Sequence, residues 1–280
     1  MGGAVSGAGG RHLALPAGPA VSRPGRVDVL GVGVDPVTVE GLHAEIRRLV
    51  RRRGGVVLNV NAHCLNLCYE DPGLRRFFGA ADLVFCDGAG VRLAAKILGG
   101  SLPERITYAD WLPRLATFAE SEGLSLFFLG ARPGVAEKAA RRLRSTRPGL
   151  EIVGIHHGFF DHAANSPENG AVVAEINAAG PDLLLLGLGM PLQERWLMEN
   201  LENLNVGAAL TGGAFLDYAA GNLRRGPRLL TDNGLEWLAR LLVEPRRLWR
   251  RYLLGNPVFL ARVVGQRLRM VDGSRKRQEM

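Results

Sequence analysis

The sequence predicts an α/β fold in which helices cover both faces of a Rossmann-like, mainly parallel sheet. The 280 residues are 47% hydrophobic and 22% charged, values typical of a globular chain that buries a sizeable core. Short apolar runs also alternate with amphipathic stretches along most of the chain. Continuous apolar runs are typical of strands buried on both faces, and helical connections keep such strands parallel.

Each predicted element follows from its own pattern. Six runs are apolar without alternation and have the length of buried strands: residues 56–60, 83–86, 124–129, 152–155, 183–186 and 206–210. Seven stretches have apolar residues at helical spacing: residues 39–53, 72–78, 89–98, 110–121, 133–146, 171–179 and 191–203. Because the two kinds of element alternate, we expect helices on both faces of the sheet.

Composition divides the chain into three parts. Residues 1–25 are rich in Gly, Ala and Pro and are predicted to be a disordered extension. Residues 26–222 hold all the predicted strands and form the α/β domain. Residues 223–280 are predicted to be a helical, basic appendage, because residues 220–280 hold fourteen Lys and Arg against five Asp and Glu. The excess positive charge of the chain therefore lies at its C-terminal end.

A basic appendage of this kind is typical of a protein that meets an anionic partner, such as a membrane surface, a nucleic acid or phosphate groups. In residues 246–253, arginines at four positions share the helical period with Leu, Trp and Tyr, so the two sets are predicted to occupy opposite faces. That pattern favours an interfacial membrane helix. Two alternatives remain open: a helix that docks on the main domain, and a solvated basic surface.

Several classes of protein are disfavoured by what the sequence lacks. An aromatic content of 6% argues against a base-stacking surface, so no nucleic-acid partner is expected. Three cysteines and no visible signal peptide favour a reducing cytoplasm over a disulfide framework. His63 and the cysteines match no familiar zinc spacing, and no Asp-x-Asp pair is present, so neither a metal nor a cofactor is expected.

Candidate site residues follow the predicted strands, where ligands bind in parallel sheets. Glycines at several of these strand ends would let a phosphate approach backbone N–H groups, which indicates a phosphate-bearing ligand and favours a nucleotide. Asp87 follows the second run directly and precedes Gly88. From its position alone, Asp87 is equally suited to be a general base or the N-cap of the next helix.

An ordered set of motifs resembles the WecG/TagA/CpsF glycosyltransferases over residues 27–265. The motifs are Asn61, Asp87-Gly88-x-Gly90, Glu104-Arg105, Gly189-x-Pro191-x-Gln193-Glu194, Gly212-Gly213-Ala214-Phe215, Gly221, Arg225-x-Pro227, Glu236-Trp237-x-x-Arg240, Glu244-Pro245-x-Arg247 and Arg250-Arg251-Tyr252. The resemblance implies metal-independent, inverting transfer of a sugar from a UDP-sugar to a polyprenyl-diphosphate-linked sugar. The transferred sugar would be of the N-acetylmannosamine, glucose or glucuronic acid type.

The resemblance also implies a setting and roles for residues. The enzyme would act in cell-surface polysaccharide or teichoic acid synthesis, in the cytoplasm and peripheral on the inner face of the plasma membrane. Asp87 would be the catalytic base, which favours that role over the N-cap. Leaving-group stabilisation would fall to Arg240, Arg247 and Arg250, each of which also suits a position near lipid headgroups. The resemblance and the strand ends together give the substrate-binding set: Asn59, Asn61, Arg105, Gly130, Gly187, Gly189, Gln193, Gly212, Gly213 and Asp217.

The sequence departs from the family pattern at one position, and two other functions remain as alternatives. Family members often have Gly at the place of Tyr108, and a ring near the pocket could change the choice of substrate. A nucleotide-cofactor oxidoreductase is the main alternative, although the dinucleotide fingerprint lacks its third glycine because residue 192 is Leu. A non-catalytic adaptor that uses the basic appendage is the third possibility, and it leaves the strand-end residues unexplained.

Overall fold

A computed structural model of the chain describes residues 25–223, 225–227, 230–231 and 234–278. The predicted disordered extension lies outside the described residues, except for residue 25. A six-stranded sheet forms the centre, in the order β4-β3-β8-β7-β5-β6, and every neighbouring pair is parallel. Its strands are β3 Val56–Val60, β4 Leu83–Cys86, β5 Leu126–Gly130, β6 Ile152–His156, β7 Leu183–Gly187 and β8 Ala208–Thr211. The predicted α/β class is confirmed.

Helices cover both faces of this sheet, as predicted. One face carries α1 Val39–Arg51, α5 Tyr108–Glu122, α6 Val135–Thr146 and α9 Phe215–Ala220. The other face carries α2 Ala62–Glu70, α3 Pro72–Ala80, α4 Ala89–Ile97, α7 Pro167–Ala179 and α8 Leu192–Asn200. The side chains of the sheet divide between two apolar clusters because successive residues of a strand point to opposite faces.

The N-terminal hairpin, helix α2 and helix α9 were not predicted from the sequence, and the six residues of α9 are too few to show a helical period. An antiparallel hairpin joins β1 Val27–Val29 to β2 Val32–Val34, and each strand is only three residues long, too short for a periodic pattern. Helix α2 was also missed, because its His, Asn and Cys residues weaken the apolar period. Its start is fixed by Asn61, whose side chain accepts a hydrogen bond from the backbone N–H of Cys64 at 3.1 Å.

The C-terminal segment is helical and packs on the α/β domain. It comprises α10 Glu236–Val243, α11 Pro245–Trp249, a π-helical turn Arg250–Leu254 and α12 Gly255–Gln278. Phe259 and Val263 of α12 belong to the main core, while Leu260 and Val264, one residue further on, are exposed. Within the described parts of the chain, no helix is both long enough and apolar enough to cross a membrane.

The predicted separation of faces in residues 246–253 is wrong. Leu248 and Tyr252 are buried, whereas Trp249 and Leu253 are exposed by 42% and 52%. The apolar residues therefore divide between the core and the solvent. Arg251 is also turned inward, away from the other arginines. The physical reason is that Leu248 and Tyr252 lie four residues apart on a helical segment and meet the same surface of the domain.

Candidate active site

The site is a pocket of about 470 Å³ at the carboxyl ends of β3 and β4, and the C-terminal segment forms its opposite wall. The α/β domain contributes Asn61, Ala62, His63, Asp87, Gly88, Ala89, Gly90, Leu93, Arg105 and Thr107. The C-terminal segment contributes Gly234, Glu236, Trp237, Arg240, Arg251, Tyr252, Asn256, Phe259 and Leu260. The pocket is therefore incomplete without the appendage.

Asp87 stands at the end of β4 and faces this pocket. Its backbone N–H donates to the carbonyl of Val60 at 2.8 Å, which holds it beside the end of β3. The N-cap of α4 is Gly88, which makes no side-chain capping bond. The N-cap role considered for Asp87 is therefore wrong, and its carboxylate is free to act on a ligand.

The environment of Asp87 raises the pKa of its carboxyl from 3.8 to about 6. Burial is the largest cause, because it disfavours the charged form. The negative charge of Glu236 raises the pKa further, while a hydrogen bond from Asn59 and the charges of Arg251 and Arg240 lower it. A carboxylate with this pKa is mostly deprotonated at neutral pH and can accept a proton from a substrate hydroxyl.

Asn59 supports Asp87 from behind the pocket wall. Its side-chain Nδ2 donates to Oδ2 of Asp87 at 2.8 Å, and its Oδ1 accepts from the hydroxyl of Thr211 at 3.2 Å. Asn59 is 2% exposed and does not line the pocket. The predicted substrate-binding residue is therefore placed where it orients Asp87, whereas Asn61 lines the pocket itself.

Arginines reach the pocket from both parts of the chain. Arg105, on the loop between α4 and α5, pairs with Glu236 of α10 at 3.6 Å. Arg240 also lines the pocket, as expected for a predicted site residue, and its guanidinium lies over the ring of Tyr218 at 5.9 Å. Arg251 lines the pocket too, although it was not among the predicted site residues.

Two predicted arginines lie away from the pocket lining. Arg247 is exposed and pairs with Glu244 at 2.5 Å, and Arg250 lies over the ring of its neighbour Trp249. The signal for Arg251 was present in the motif Arg250-Arg251-Tyr252. Which of two adjacent arginines points inward depends on the π-helical turn, and no sequence pattern specified that turn.

Glycine-rich strand ends lie next along the same edge of the sheet. Gln193 is fully buried, and its Oε1 accepts from the N–H groups of Gly189 at 3.2 Å and Gly213 at 3.0 Å. Its side chain thereby ties the loop after β7 to the loop after β8. A Cβ on Gly130 would overlap the backbone of Gly187, so the close approach of these two strand ends requires glycine at position 130.

The remaining predicted residues belong to this same glycine-rich region. Gly212 follows β8, and Asp217 lies in the first turn of α9. Asn61 connects the pocket to the glycine-rich region, because its Nδ2 donates to the sulfur of Met190 at 3.7 Å. The structure thus places Asn61, Asp87, Arg105 and Arg240 on the pocket lining, and the predicted glycines, Gln193 and Asp217 outside it.

Two buried side chains near these residues each have one polar atom without a hydrogen-bond partner in the described part of the chain. Glu194 accepts a hydrogen bond from Gln193 at 2.8 Å, its Oε2 has no partner, and burial raises its pKa to about 7. Tyr108 packs between Trp111 and Phe215, and its buried hydroxyl has no hydrogen-bond partner. The ring of Tyr108 lies under Gly212 and does not line the pocket.

Comparisons with known proteins give a consistent result. A sequence model of the glycosyl transferase WecG/TagA/CpsF family matches residues 27–272. A relative from Bacillus spizizenii, the N-acetylglucosaminyldiphosphoundecaprenol N-acetyl-beta-D-mannosaminyltransferase, is 28% identical over 222 residues. That match covers 79% of this chain and 83% of the relative. The resemblance predicted from the motifs is confirmed, and the oxidoreductase alternative receives no support.

Proposed function

This chain belongs to the WecG/TagA/CpsF family of glycosyl transferases, and on that premise we propose that it moves a sugar from a UDP-sugar to a polyprenyl-diphosphate-linked sugar. The name of the Bacillus spizizenii relative supports this acceptor, because it specifies a sugar on diphosphoundecaprenol. The observation that carries the proposal is Asp87, a carboxylate with a pKa of about 6 in a pocket that also holds arginines.

The reaction is a single displacement. The carboxylate of Asp87 accepts the proton of the acceptor hydroxyl, and that oxygen forms a bond to the anomeric carbon of the donor sugar. The bond between the anomeric carbon and the UDP oxygen breaks, and UDP leaves with the electron pair. Attack opposite the leaving group inverts the anomeric configuration. Asn59 keeps the Asp87 carboxylate oriented and favours its charged form.

The donor lies on the glycine-rich side of the pocket in this proposal. The loops after β7 and β8 are held together by Gln193, and they meet the pocket through Asn61. Arg240 lies over Tyr218 of α9, the helix that follows these glycines, and is placed to stabilise the charge that develops on the departing diphosphate. Of the three arginines predicted for this task, it alone lines the pocket.

The C-terminal segment would also bring the enzyme to the membrane. We define the rim surface as Trp249, Leu253, Leu254 and Val258, which are 42%, 52%, 55% and 43% exposed. Exposed apolar side chains within a basic segment are typical of peripheral contact with anionic lipid. We therefore propose a peripheral association with the cytoplasmic face of the membrane, where a polyprenyl-linked acceptor would be reached.

The test is a screen of UDP-sugars against short-chain polyprenyl-diphosphate-sugar acceptors, with release of UDP and formation of the disaccharide measured together. We expect one donor and acceptor pair to give both products in equal amounts. UDP release without disaccharide would indicate hydrolysis, and no release with any pair would contradict the proposed reaction. For the membrane association, flotation with anionic vesicles should recover the chain, and changing the rim surface to Asn at all four positions should abolish recovery.

A further inference from the structure

We infer that Arg251 and the first turn of α4 bind the diphosphate of the acceptor, and that Leu93, Phe259 and Leu260 hold its first prenyl unit. This inference rests on the proposed function and divides the pocket between the two substrates. The donor diphosphate lies toward Arg240, and the acceptor diphosphate lies toward Arg251.

Arg251 is a buried, positively charged side chain that is suited to bind an anionic ligand. It is largely enclosed, it lines the pocket, and its Nε has no hydrogen-bond partner among the residues that the structure describes. Burial lowers the pKa of its guanidinium, which shows the cost of enclosing this charge. His63 beside it does not supply a second positive charge at neutral pH, because burial and the charge of Arg251 lower the pKa of His63 to about 4. A buried charge of this kind is stabilised by an oppositely charged ligand.

Helix α4 supplies a second feature that favours an anion at the same place. Its first residues, Ala89 and Gly90, line the pocket, and its N-cap Gly88 makes no side-chain capping bond. The N–H groups at the start of a helix carry partial positive charge and bind phosphate groups readily. Arg251 and this helix end thus offer charge and hydrogen bonds within one pocket.

The apolar side of the pocket distinguishes the acceptor from the donor. Phe259 is 1% exposed, whereas Leu93 and Leu260 are 48% and 36% exposed, so the apolar lining runs from the interior to the rim. An acceptor has its hydroxyl, diphosphate and hydrocarbon in that order, matching Asp87, Arg251 and the apolar lining. A donor ends in uridine, which has no hydrocarbon chain that could bury itself on an apolar surface.

The two arginines also have different neighbours. Arg240 lies over Tyr218 on α9, close to the glycines that follow β8. Arg251 influences the pKa values of His63 and Cys64 on α2, the helix on which α12 packs. Arg240 therefore lies beside α9 and Arg251 lies nearer to α2, while the charges of both act on Asp87 between them in the pocket.

The direct test measures the binding of farnesyl diphosphate and of UDP to the full chain by calorimetry, in the wild type and in the Arg251→Gln and Arg240→Gln variants. Loss of one hydrogen bond from a charged group should weaken binding roughly 10–100-fold. We expect Arg251→Gln to weaken the binding of farnesyl diphosphate by this factor and to leave the binding of UDP unchanged. Arg240→Gln should weaken the binding of UDP and leave that of farnesyl diphosphate unchanged. Farnesol and pyrophosphate, tested alone, should each bind more weakly than farnesyl diphosphate. Equal loss of UDP binding in Arg251→Gln would overturn the inference.

A second measurement uses turnover with acceptors whose hydrocarbon grows from one carbon to one prenyl unit. In the wild type, KM should fall roughly tenfold over this series, because part of the prenyl unit leaves water. Leu93→Asn should remove that gain, whereas Met198→Asn, a matched change on α8 at 38% exposure, should keep it. If KM still falls to the same extent in Leu93→Asn, the contact with the prenyl unit is refuted and the rest of the inference is not. Absence of turnover in the wild type refutes the proposed function instead.

Discussion

The hydrogen bond from Asn59 to Asp87 predicts a measurable change in the pH dependence of the enzyme. Asn59→Leu removes a 2.8 Å bond to the carboxylate, and a bond of this kind favours the charged form. Hydrogen bonds to charged groups contribute about 1.5–3 kcal/mol. At 1.36 kcal/mol for each unit, the pKa of Asp87 should rise by roughly 1–2 units above its value of about 6.

The consequence is a shift of the acidic limb in the pH profile of kcat/KM toward higher pH. Transfer requires the deprotonated carboxylate, so wild-type activity should rise through pH of about 6, and the variant through roughly pH 7–8. The charged groups that face Asp87 are Glu236, Arg240 and Arg251, and none of them changes in this variant. At pH 7 the deprotonated fraction should fall from about nine tenths to about a quarter, if the pKa rises by roughly 1.5 units.

Steady-state rates between pH 5 and 9 would test this prediction. Thr211→Val should shift the limb in the same direction by less, because it removes only the bond that orients the Asn59 amide. Asn169→Leu is a matched control: it deletes another buried amide, one that bonds Trp196 and Asn200, and the limb should not move. A uniform loss of activity at every pH in Asn59→Leu would refute the positioning role and support direct contact with substrate.

Further predictions concern stability. The pKa of Asp87 is higher in the folded than in the unfolded chain, so its stability cost grows as pH rises from about 3.8 to about 6 and is then constant. Asp87→Asn should raise the free energy of unfolding by about 3 kcal/mol at pH 8 and by almost nothing at pH 3.5, measured by urea denaturation. Glu194→Gln should likewise stabilise the chain above pH of about 7, and an equal gain at pH 4 would contradict this. Gly130→Ala should lower the Tm, whereas Gly170→Ala, where a Cβ meets open space, should not.

The sequence was sufficient to predict the parts of the fold that repeat a strong pattern. Five of the six strands of the central sheet are buried almost throughout, with the edge strand β6 as the exception, and the continuous apolar runs made both the number of strands and their parallel direction predictable. The hairpin at Val27–Val34, helix α2 and the six-residue helix α9 were missed for the opposite reason. Short strands and a weakly amphipathic helix are fixed by packing on the sheet, which leaves no periodic signal in the chain.

The candidate site was predictable in position but not in the direction of its side chains. Asp87 could be placed at a strand end and weighed as a base, because polar residues after parallel strands meet at one edge. Asn59 was expected to touch substrate, yet it points to Asp87, since it is the penultimate residue of β3 and lies within the sheet. The inward turn of Arg251 depends on how the C-terminal segment packs, which is a long-range property that no local pattern contains.

The most direct test compares the wild type with Asp87→Asn in two measurements on the same preparation. One is UDP affinity by calorimetry, and the other is the rate of disaccharide formation with the donor and acceptor identified by the screen. The account predicts equal UDP affinity and a rate that falls roughly 10²–10⁴-fold, the scale of a lost general base. A rate near that of the wild type in Asp87→Asn would contradict the account, because another group would then be removing the acceptor proton.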